Sequence, residues 1–311
     1  MKFVIDMLKG AVMGLANVIP GVSGGTMAVA MGIYDKLIGA ITHLFKEFKK
    51  SFITVLPIGL GMLIGIVGLS VIVEWMFGTI PVQTNLLFIG LIIGGVPAIY
   101  KRVKSAKVNA GHIIGFIIFF GIVVGLSFLQ RDTEIEKAQM ENEKVVEDSE
   151  DSYVSDEVME YELNTGSVLI LFGMGVIASA TMVIPGVSGS MMLMLLGYYT
   201  LIIGTVSGAI KALMAGQMTE LIHCGLIMIP FAVGVVVGIF GIAKIIEILL
   251  SKCEVITFWC IMGLIIGSPF AIAVVNLDLV SKLNAISITT GIVALAVGCV
   301  IAYFLGGEKE A

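Results

Sequence analysis

The sequence predicts an all-α, polytopic membrane protein made of two inverted-topology repeats. Three observations predict this fold class: a chain that is 58% hydrophobic and 13% charged, apolar stretches separated by short basic loops, and a seven-residue motif that occurs twice. Soluble domains carry about 25% charged residues, so this composition excludes an ordinary soluble protein. The four cysteines form no C-x-x-C pair and lie in or beside apolar runs, and we expect no metal site and no cofactor.

The domain boundaries follow from the distribution of charge. Residues 130–162 contain 13 of the 23 acidic residues and only three basic ones. A polar segment of this kind is typical of a flexible extramembrane linker. We therefore expect a first membrane repeat over 1–129, an acidic flexible linker over 130–165 and a second membrane repeat over 166–311.

An internal repeat relates the two membrane segments. The motif V-I-P-G-V-S-G at residues 18–24 recurs at residues 183–189, an offset of 165, and an offset of 173 then pairs Gly61 with Gly234 and Gly65 with Gly238. We expect each half to contain a broken or re-entrant helix hairpin at its P-G-V-S-G turn plus about three spanning helices. An odd number of crossings per half makes the second half begin on the opposite side of the membrane. Secondary transporters built this way bind their substrate near the midplane, at interrupted helices in equivalent positions.

Basic residues in short loops predict the orientation of the chain. One cluster contains Lys46, Lys49 and Lys50, and a second contains Lys101, Arg102, Lys104 and Lys107. Both loops and the N-terminus are expected on the cytoplasmic side. The uncharged loop near 77–84 and the acidic linker are then expected outside.

The P-G-V-S-G turns have the residue types of an anion site. Glycines allow successive backbone N–H groups to converge, and the helix that follows begins with unpaired donors. Ser23, Thr26, Ser188 and Ser190 add hydroxyl groups, so a phosphate could be held without a full positive charge inside the bilayer. The alternative is that the turns are structural helix breaks, with Ser and Gly serving close packing. The turns alone do not distinguish a small soluble anion from the phosphate of a lipid.

The residues around the first turn resemble the signature of a known family. The run over residues 14–26, followed by G-I-Y-D-K-L-I at residues 32–38, is similar to a bacterial membrane family associated with transport of undecaprenyl phosphate. The resemblance implies return of this carrier lipid from the outer to the inner leaflet of the bacterial cytoplasmic membrane, for cell-wall synthesis. It also implies that a polyprenyl phosphate is the partner and that motif residues contact its phosphate head group: Asn17, Ser23, Gly24, Gly25, Thr26, Ser188, Gly189 and Ser190.

Three further residues are candidates for function. Glu74 and Glu247 are paired by the repeat and could couple transport to protons or sodium, or could be interfacial acids, with Lys244 placed to support Glu247. Arg102 could contact the head group at the cytoplasmic face, or could simply belong to the basic cluster that sets topology.

The predicted function is therefore a secondary transporter, or flippase, of undecaprenyl phosphate, and not an enzyme. A transporter of a small soluble anion is the alternative. A membrane phosphatase acting on a polyprenyl diphosphate is a weaker one, because phosphoryl chemistry needs cationic groups or a metal and few Arg or His lie near the turns. Nothing in the sequence predicts a nucleic-acid partner.

Overall fold

The computed structural model describes residues 2–18, 22–104, 107–144, 161 and 163–306, and within them the chain is helical with no strands. The side chains of residues 18, 70, 74, 133–144 and 282 are outside this description. Many large apolar side chains are exposed on the helices, among them Phe48, Leu63 and Leu169, as expected for surfaces that face lipid. The predicted all-α, multi-pass architecture is confirmed.

The helices follow one order in both halves of the chain. In the first half they are α1 (Lys2–Val18), α2 (Gly24–Ala30), α3 (Tyr34–Thr42), α4 (Phe48–Leu63) with a π-helical turn (Ile64–Gly68), α5 (Leu69–Thr79), α6 (Pro81–Val103) and α7 (Ala110–Lys144). In the second half they are α8 (Thr165–Val183), α9 (Gly189–Leu195), α10 (Tyr199–Ala215), α11 (Met218–Lys252), α12 (Glu254–Val275), a 3-10 turn (Leu277–Lys282) and α13 (Ala285–Gly306).

Seven helices among the described residues are long and apolar enough to cross a membrane. They are Phe48–Gly68, Pro81–Val103, Ala110–Asp132, Thr165–Val183, Met218–Lys252, Glu254–Val275 and Ala285–Gly306. The first half therefore supplies the three expected spans, α4, α6 and α7, whereas the second supplies four because α8 qualifies. Its counterpart α1 is 17 residues long and contains Lys2, Asp6 and Lys9, whereas α8 has no charged residue.

The repeat is visible in the packing of α1 on α4 and of α8 on α11. A Cβ atom on Gly61 would lie 2.0 Å from the Met7 carbonyl oxygen, and one on Gly234 would lie 2.1 Å from the Phe172 carbonyl oxygen. The offsets of 165 and 173 superimpose these two contacts. Because glycine has no side chain, it allows helix backbones to approach this closely in a membrane protein.

A second pair of helix contacts also recurs. Gly90 on α6 packs against the backbone of α13, where a Cβ would lie 2.1 Å from the Leu295 carbonyl oxygen. Its repeat partner Gly263 on α12 packs against α7, 2.4 Å from the Phe116 carbonyl oxygen by the same measure. The last helix of each half thus packs on a helix of the other half.

The chain forms two compact units that do not coincide with the sequence halves. One unit comprises Met1–Phe128, Met182–Ser188 and Ala243–Ala311, and the other comprises Leu129–Thr181 and Gly189–Ile242. Helix α7 continues to Lys144, so the first part of the segment expected to be a flexible linker is helical. Glu, Lys, Gln, Ala and Met predominate there, and these residues favour helix. Residues 145–160 and 162 of that segment lie outside the described residues.

A glycine interrupts each half a second time, shortly after the motif. Gly32, between α2 and α3, has φ of +67°, and Gly197, between α9 and α10, has φ of +79°. Helices α9 and α10 meet at an angle of 114°. Hydropathy predicts one continuous apolar stretch through each of these glycines, over residues 24–44 and 188–213, whereas the structure divides each stretch into two helices. The bent pair resembles a re-entrant hairpin, but its bend lies at Gly197 and not at the P-G-V-S-G turn, where the hairpin was expected.

Candidate functional site

The first motif turn joins α1 to α2, and Asn17 of α1 makes a hydrogen bond to the first residue of α2. The Asn17 Oδ1 atom accepts a hydrogen bond of 3.1 Å from the Gly24 N–H at the start of α2. A Cβ on Gly24 would lie 2.7 Å from the Asn17 amide atoms, so a larger residue here would displace the Asn17 side chain that makes this hydrogen bond. Residues 19–21 of the turn lie outside the described residues.

The second motif turn, residues 184–188, joins α8 to α9 and depends on Gly186. This residue has φ of +82°, a conformation that costs other L-residues about 1–2 kcal/mol. A Cβ there would lie 3.0 Å from Val123 Cγ2 and 3.1 Å from the Leu264 carbonyl oxygen. Backbone conformation and neighbouring atoms therefore both require glycine.

Helix α2, which follows the first motif copy, contacts the second motif copy, although about 160 residues separate them in sequence. The Gly186 N–H donates a hydrogen bond of 2.7 Å to Thr26 Oγ1, and the Thr26 side chain is fully buried. A Cβ on Gly25 would lie 3.2 Å from the Val183 carbonyl oxygen. The start of α2 therefore packs directly against the second turn.

Tyr34 makes a second hydrogen bond to the second motif copy. It begins α3 and is buried, with 5% of its surface exposed. Its hydroxyl donates a hydrogen bond of 3.2 Å to the Val183 carbonyl oxygen, at the C-terminal end of α8. This carbonyl is one of the last four of its helix, which have no partner within the helix.

Ser23 is placed to use its hydroxyl for something other than structure. It occupies the residue before α2 with φ of −106° and ψ of 135°, yet its side chain makes no capping hydrogen bond. The residue is buried, with 5% exposed, and Asn17 supplies the bond to the helix start instead. Serine at this position normally caps the helix, and among the described residues this hydroxyl makes no such bond.

The second copy offers a similar set of residues. Ser188 ends the turn and is half-buried, Gly189 begins α9, and Ser190 is exposed on it. Helices α2 and α9 each have seven residues. Helices this short align few peptide dipoles, so backbone N–H groups and hydroxyls contribute more to an anion site here than a helix dipole does.

The remaining candidate residues lie away from the turns. Glu247 pairs with Lys244, as the sequence suggested, and its Oε1 atom lies 3.5 Å from His43 Nε2. Glu74 is part of α5, but its side chain is outside the description. Among the described residues, no group of three or more His, Cys, Asp or Glu side chains could hold a metal ion.

Arg102 is held by two carboxylates at the end of α6. Its Nη2 atom lies 3.2 Å from Asp35 Oδ2, and its Nη1 atom lies 3.8 Å from Glu254 Oε1. The guanidinium carbon is also 5.5 Å from the centre of the Phe258 ring, a cation–π distance. Arg102 is therefore part of an ion-pair network, which sequence reasoning missed because its members are far apart in the chain.

The chain matches a family model and two named relatives over most of its length. A family model described as VCA0040-like, undecaprenyl phosphate translocase-like, matches residues 13–289. A protein of Staphylococcus aureus (strain NCTC 8325 / PS 47) named polyprenyl-phosphate transporter is 28% identical over 271 residues, covering 86% of this chain and 85% of that protein. A protein of Vibrio cholerae serotype O1 (strain ATCC 39315 / El Tor Inaba N16961) with the same name is 26% identical over 284 residues, covering 86% and 77%. No solved structure matches the chain significantly.

Proposed function

Because the chain belongs to the VCA0040-like, undecaprenyl phosphate translocase-like family, we propose that it is a secondary transporter of undecaprenyl phosphate. It moves this lipid from the outer to the inner leaflet of the bacterial cytoplasmic membrane, where the carrier re-enters cell-wall synthesis. The relatives named polyprenyl-phosphate transporters support the substrate class.

The observation that carries the proposal is the contact between α2, the helix that follows the first P-G-V-S-G turn, and the second P-G-V-S-G turn. The Gly186–Thr26 hydrogen bond joins interrupted helices from the two halves. In secondary transporters with internal repeats, the substrate site lies where such helices meet. Under the inverted orientation that the basic loops favour, one central site would open alternately to the two leaflets.

The head-group site we propose consists of residues in and next to the two motif copies. Ser23 and Ser188 donate hydroxyl groups to the phosphate, and the backbone N–H groups near Gly25, Gly189 and Ser190 add further donors. Asn17, Gly24 and Thr26 position these donors, because their own polar atoms hold the turns in place. Such a site binds a phosphate without a buried cation, which would be costly in the bilayer.

The hydrocarbon tail needs no cavity of its own. It can stay in the lipid while the phosphate crosses between the leaflets, provided that the polar path opens sideways to the membrane. A transporter of this kind moves the head group and makes or breaks no covalent bond, so we propose that the chain is not an enzyme.

Energy coupling and the cytoplasmic end of the path are further parts of the proposal. Glu247, with Glu74 as its repeat partner, could bind the coupling proton or sodium ion. Arg102 would meet the phosphate at the cytoplasmic end after exchanging one of its two carboxylate partners. The basic loop over residues 46–50 and the acidic segment support a cytoplasmic N-terminus and an external segment after α7.

Purified protein in liposomes tests the proposal. Labelled polyprenyl phosphate is placed in one leaflet, and its arrival in the other is followed with and without proton or sodium gradients. We expect protein-dependent exchange of the monophosphate. Phosphate release from a polyprenyl diphosphate would instead indicate an enzyme, and transport of inorganic phosphate alone would indicate a soluble-anion carrier.

A further inference from the structure

A cavity of about 270 Å³ lies between α3 and α4. Helix α3 lines it with Lys36, Gly39 and His43, and the segment around the start of α4 lines it with Lys50 and Thr54. With Asp35, Glu47 and Ser51, which also line it, the cavity wall presents two ammonium groups, two carboxylates, an imidazole and two hydroxyls. A phosphate monoester fits this volume with room for water.

The cavity lies next in sequence to the residue that contacts the second motif copy. Tyr34 donates to the Val183 carbonyl in the second turn, and the first wall residue follows it directly in α3. At 1.5 Å per residue, α3 extends about 14 Å from Tyr34 to His43. Beyond His43 lie the basic residues Lys46, Lys49 and Lys50, so the cavity wall runs along α3 from the residue after Tyr34 to the basic loop before α4.

The ionised groups of the cavity are paired in ways that a phosphate could exchange. Lys36 pairs with Asp6 of α1, and Lys50 pairs with Glu47. The hydrogen bond from Lys50 holds the pKa of Glu47 below its usual range, so this carboxyl stays ionised near neutral pH.

Two partners from other helices complete the network. Asp35 faces the cavity and pairs with Arg102, and Glu247 of α11 lies 3.5 Å from His43. Each lysine or arginine of the network has a carboxylate partner, so a phosphate has to displace a carboxylate in order to bind. A phosphate would bind the network weakly enough to leave again, as a station on a transport path requires.

The charged wall occurs in only one copy of the repeat. The offset of 165 pairs Lys36 with Leu201, Gly39 with Gly204 and His43 with Gly208. A feature required by the fold alone would recur in both copies, as the glycine contacts between helices do. The charged side chains instead occur at only one of the two equivalent positions. The two ends of the transport path therefore differ in charge.

We infer that this cavity is a second head-group station, which receives a phosphate monoester from the motif turns at the cytoplasmic end of the path. The inference rests on the proposed function. Lys36 is the central cation of the station, because it is nearest in sequence to the turns, and Lys50 is the cation on the exit side. The same chemistry would accept inorganic phosphate, so the experiment has to separate the two sources.

The first test measures occupancy of the cavity. A Thr54→Cys variant in detergent is treated with a water-soluble maleimide, and labelling at residue 54 is read by mass spectrometry. We expect farnesyl phosphate to slow labelling several-fold and farnesol to have no effect. Equal protection by inorganic phosphate would assign the station to free phosphate, and protection by neither phosphate would overturn the inference.

The second test fills the cavity without disturbing the fold. A Cβ on Gly39 meets no atom within 4 Å, so Gly39→Leu places its side chain in open space. The matched control is Gly121→Leu on the exposed surface of α7, where a Cβ also meets nothing. We expect Gly39→Leu to slow leaflet exchange at least tenfold, Lys36→Gln to slow it several-fold, and the control to match the wild type.

The outcomes separate this inference from the proposed function. If wild-type protein moves no polyprenyl phosphate, the proposed function fails and the inference fails with it. If the wild type transports, Gly39→Leu transports equally well and the thiol of the Thr54→Cys variant is not protected, only the second station is refuted. Unchanged thermal unfolding of Gly39→Leu would show that slower exchange comes from the filled cavity.

Discussion

Removing the Thr26 hydroxyl should weaken the contact between α2 and the second motif turn. In Thr26→Val the side chain keeps its shape but loses the oxygen that accepts the 2.7 Å hydrogen bond from Gly186 N–H. Thr26 is fully buried, so water cannot replace the lost acceptor. The substitution leaves a backbone donor without a partner at the point where the halves meet.

The expected magnitude follows from that orphaned donor. A buried group left without its hydrogen-bond partner costs about 1–3 kcal/mol. Each 1.4 kcal/mol changes an equilibrium constant roughly tenfold. Thr26→Ser keeps the oxygen and removes one methyl group, which costs about 1 kcal/mol. We therefore expect Thr26→Val to lower the unfolding temperature more than Thr26→Ser does, and to slow leaflet exchange.

Thr84→Val is the matched control. Thr84 is also fully buried, and its Oγ1 atom donates to the Ile80 carbonyl oxygen at 2.8 Å within its own helix. That carbonyl also accepts from the Thr84 N–H, so the control leaves no orphaned group and should cost at most about 1 kcal/mol. Thermal unfolding in detergent and transport in liposomes measure both effects. Equal stability and transport for Thr26→Val and Thr84→Val would refute a role for the inter-motif bond.

Two further predictions concern packing. Gly61→Ala should destabilise the protein by at least about 1–3 kcal/mol, because the new Cβ would lie 2.0 Å from the Met7 carbonyl oxygen. Gly59→Ala, where nothing lies within 4 Å, should instead stabilise by about 0.5–1 kcal/mol; thermal unfolding of both variants checks the opposite signs. Tyr34→Phe should cost about 1 kcal/mol through loss of the bond to the Val183 carbonyl, and an unchanged unfolding temperature would contradict that contribution.

The repeat was predictable because its evidence is local. Gly61 and Gly234 recur at a fixed offset, and a membrane helix that packs tightly needs glycine at the same place in each copy. The bounds of α2 and α9 also follow the motif spacing, because each helix begins at the last glycine of V-I-P-G-V-S-G. Sequence pattern alone therefore located the two interrupted helices.

The hydrogen-bond partners of Thr26 and Asn17 could not be predicted in the same way. Thr26 was a candidate phosphate ligand, but its oxygen accepts a bond from a residue 160 positions away. Asn17 was another, but it holds the Gly24 N–H from seven residues upstream, which is not the usual spacing of a helix cap. Both roles depend on tertiary contacts, for which a single sequence has no signal.

Two structural features had a signal in the sequence that charge and hydropathy obscured. The helical continuation of α7 to Lys144 follows from helix-forming residues, whereas charge density suggested a linker. The helix breaks at Gly32 and Gly197 occur at glycines that the repeat offset of 165 pairs with each other. Each glycine is followed two residues later by a tyrosine. Because apolar residues continue on both sides, hydropathy alone joined the two helices into one stretch.

Leaflet exchange by the double variant Ser23→Ala with Ser188→Ala tests the central claim most directly. Ser23 makes no capping bond, so its substitution should leave α2 intact, and thermal unfolding of the double variant checks that it is folded. If the motif turns hold the phosphate, the folded double variant should exchange polyprenyl phosphate at least tenfold more slowly than the wild type. Exchange at the wild-type rate would contradict the assignment of the head-group site to these two turns.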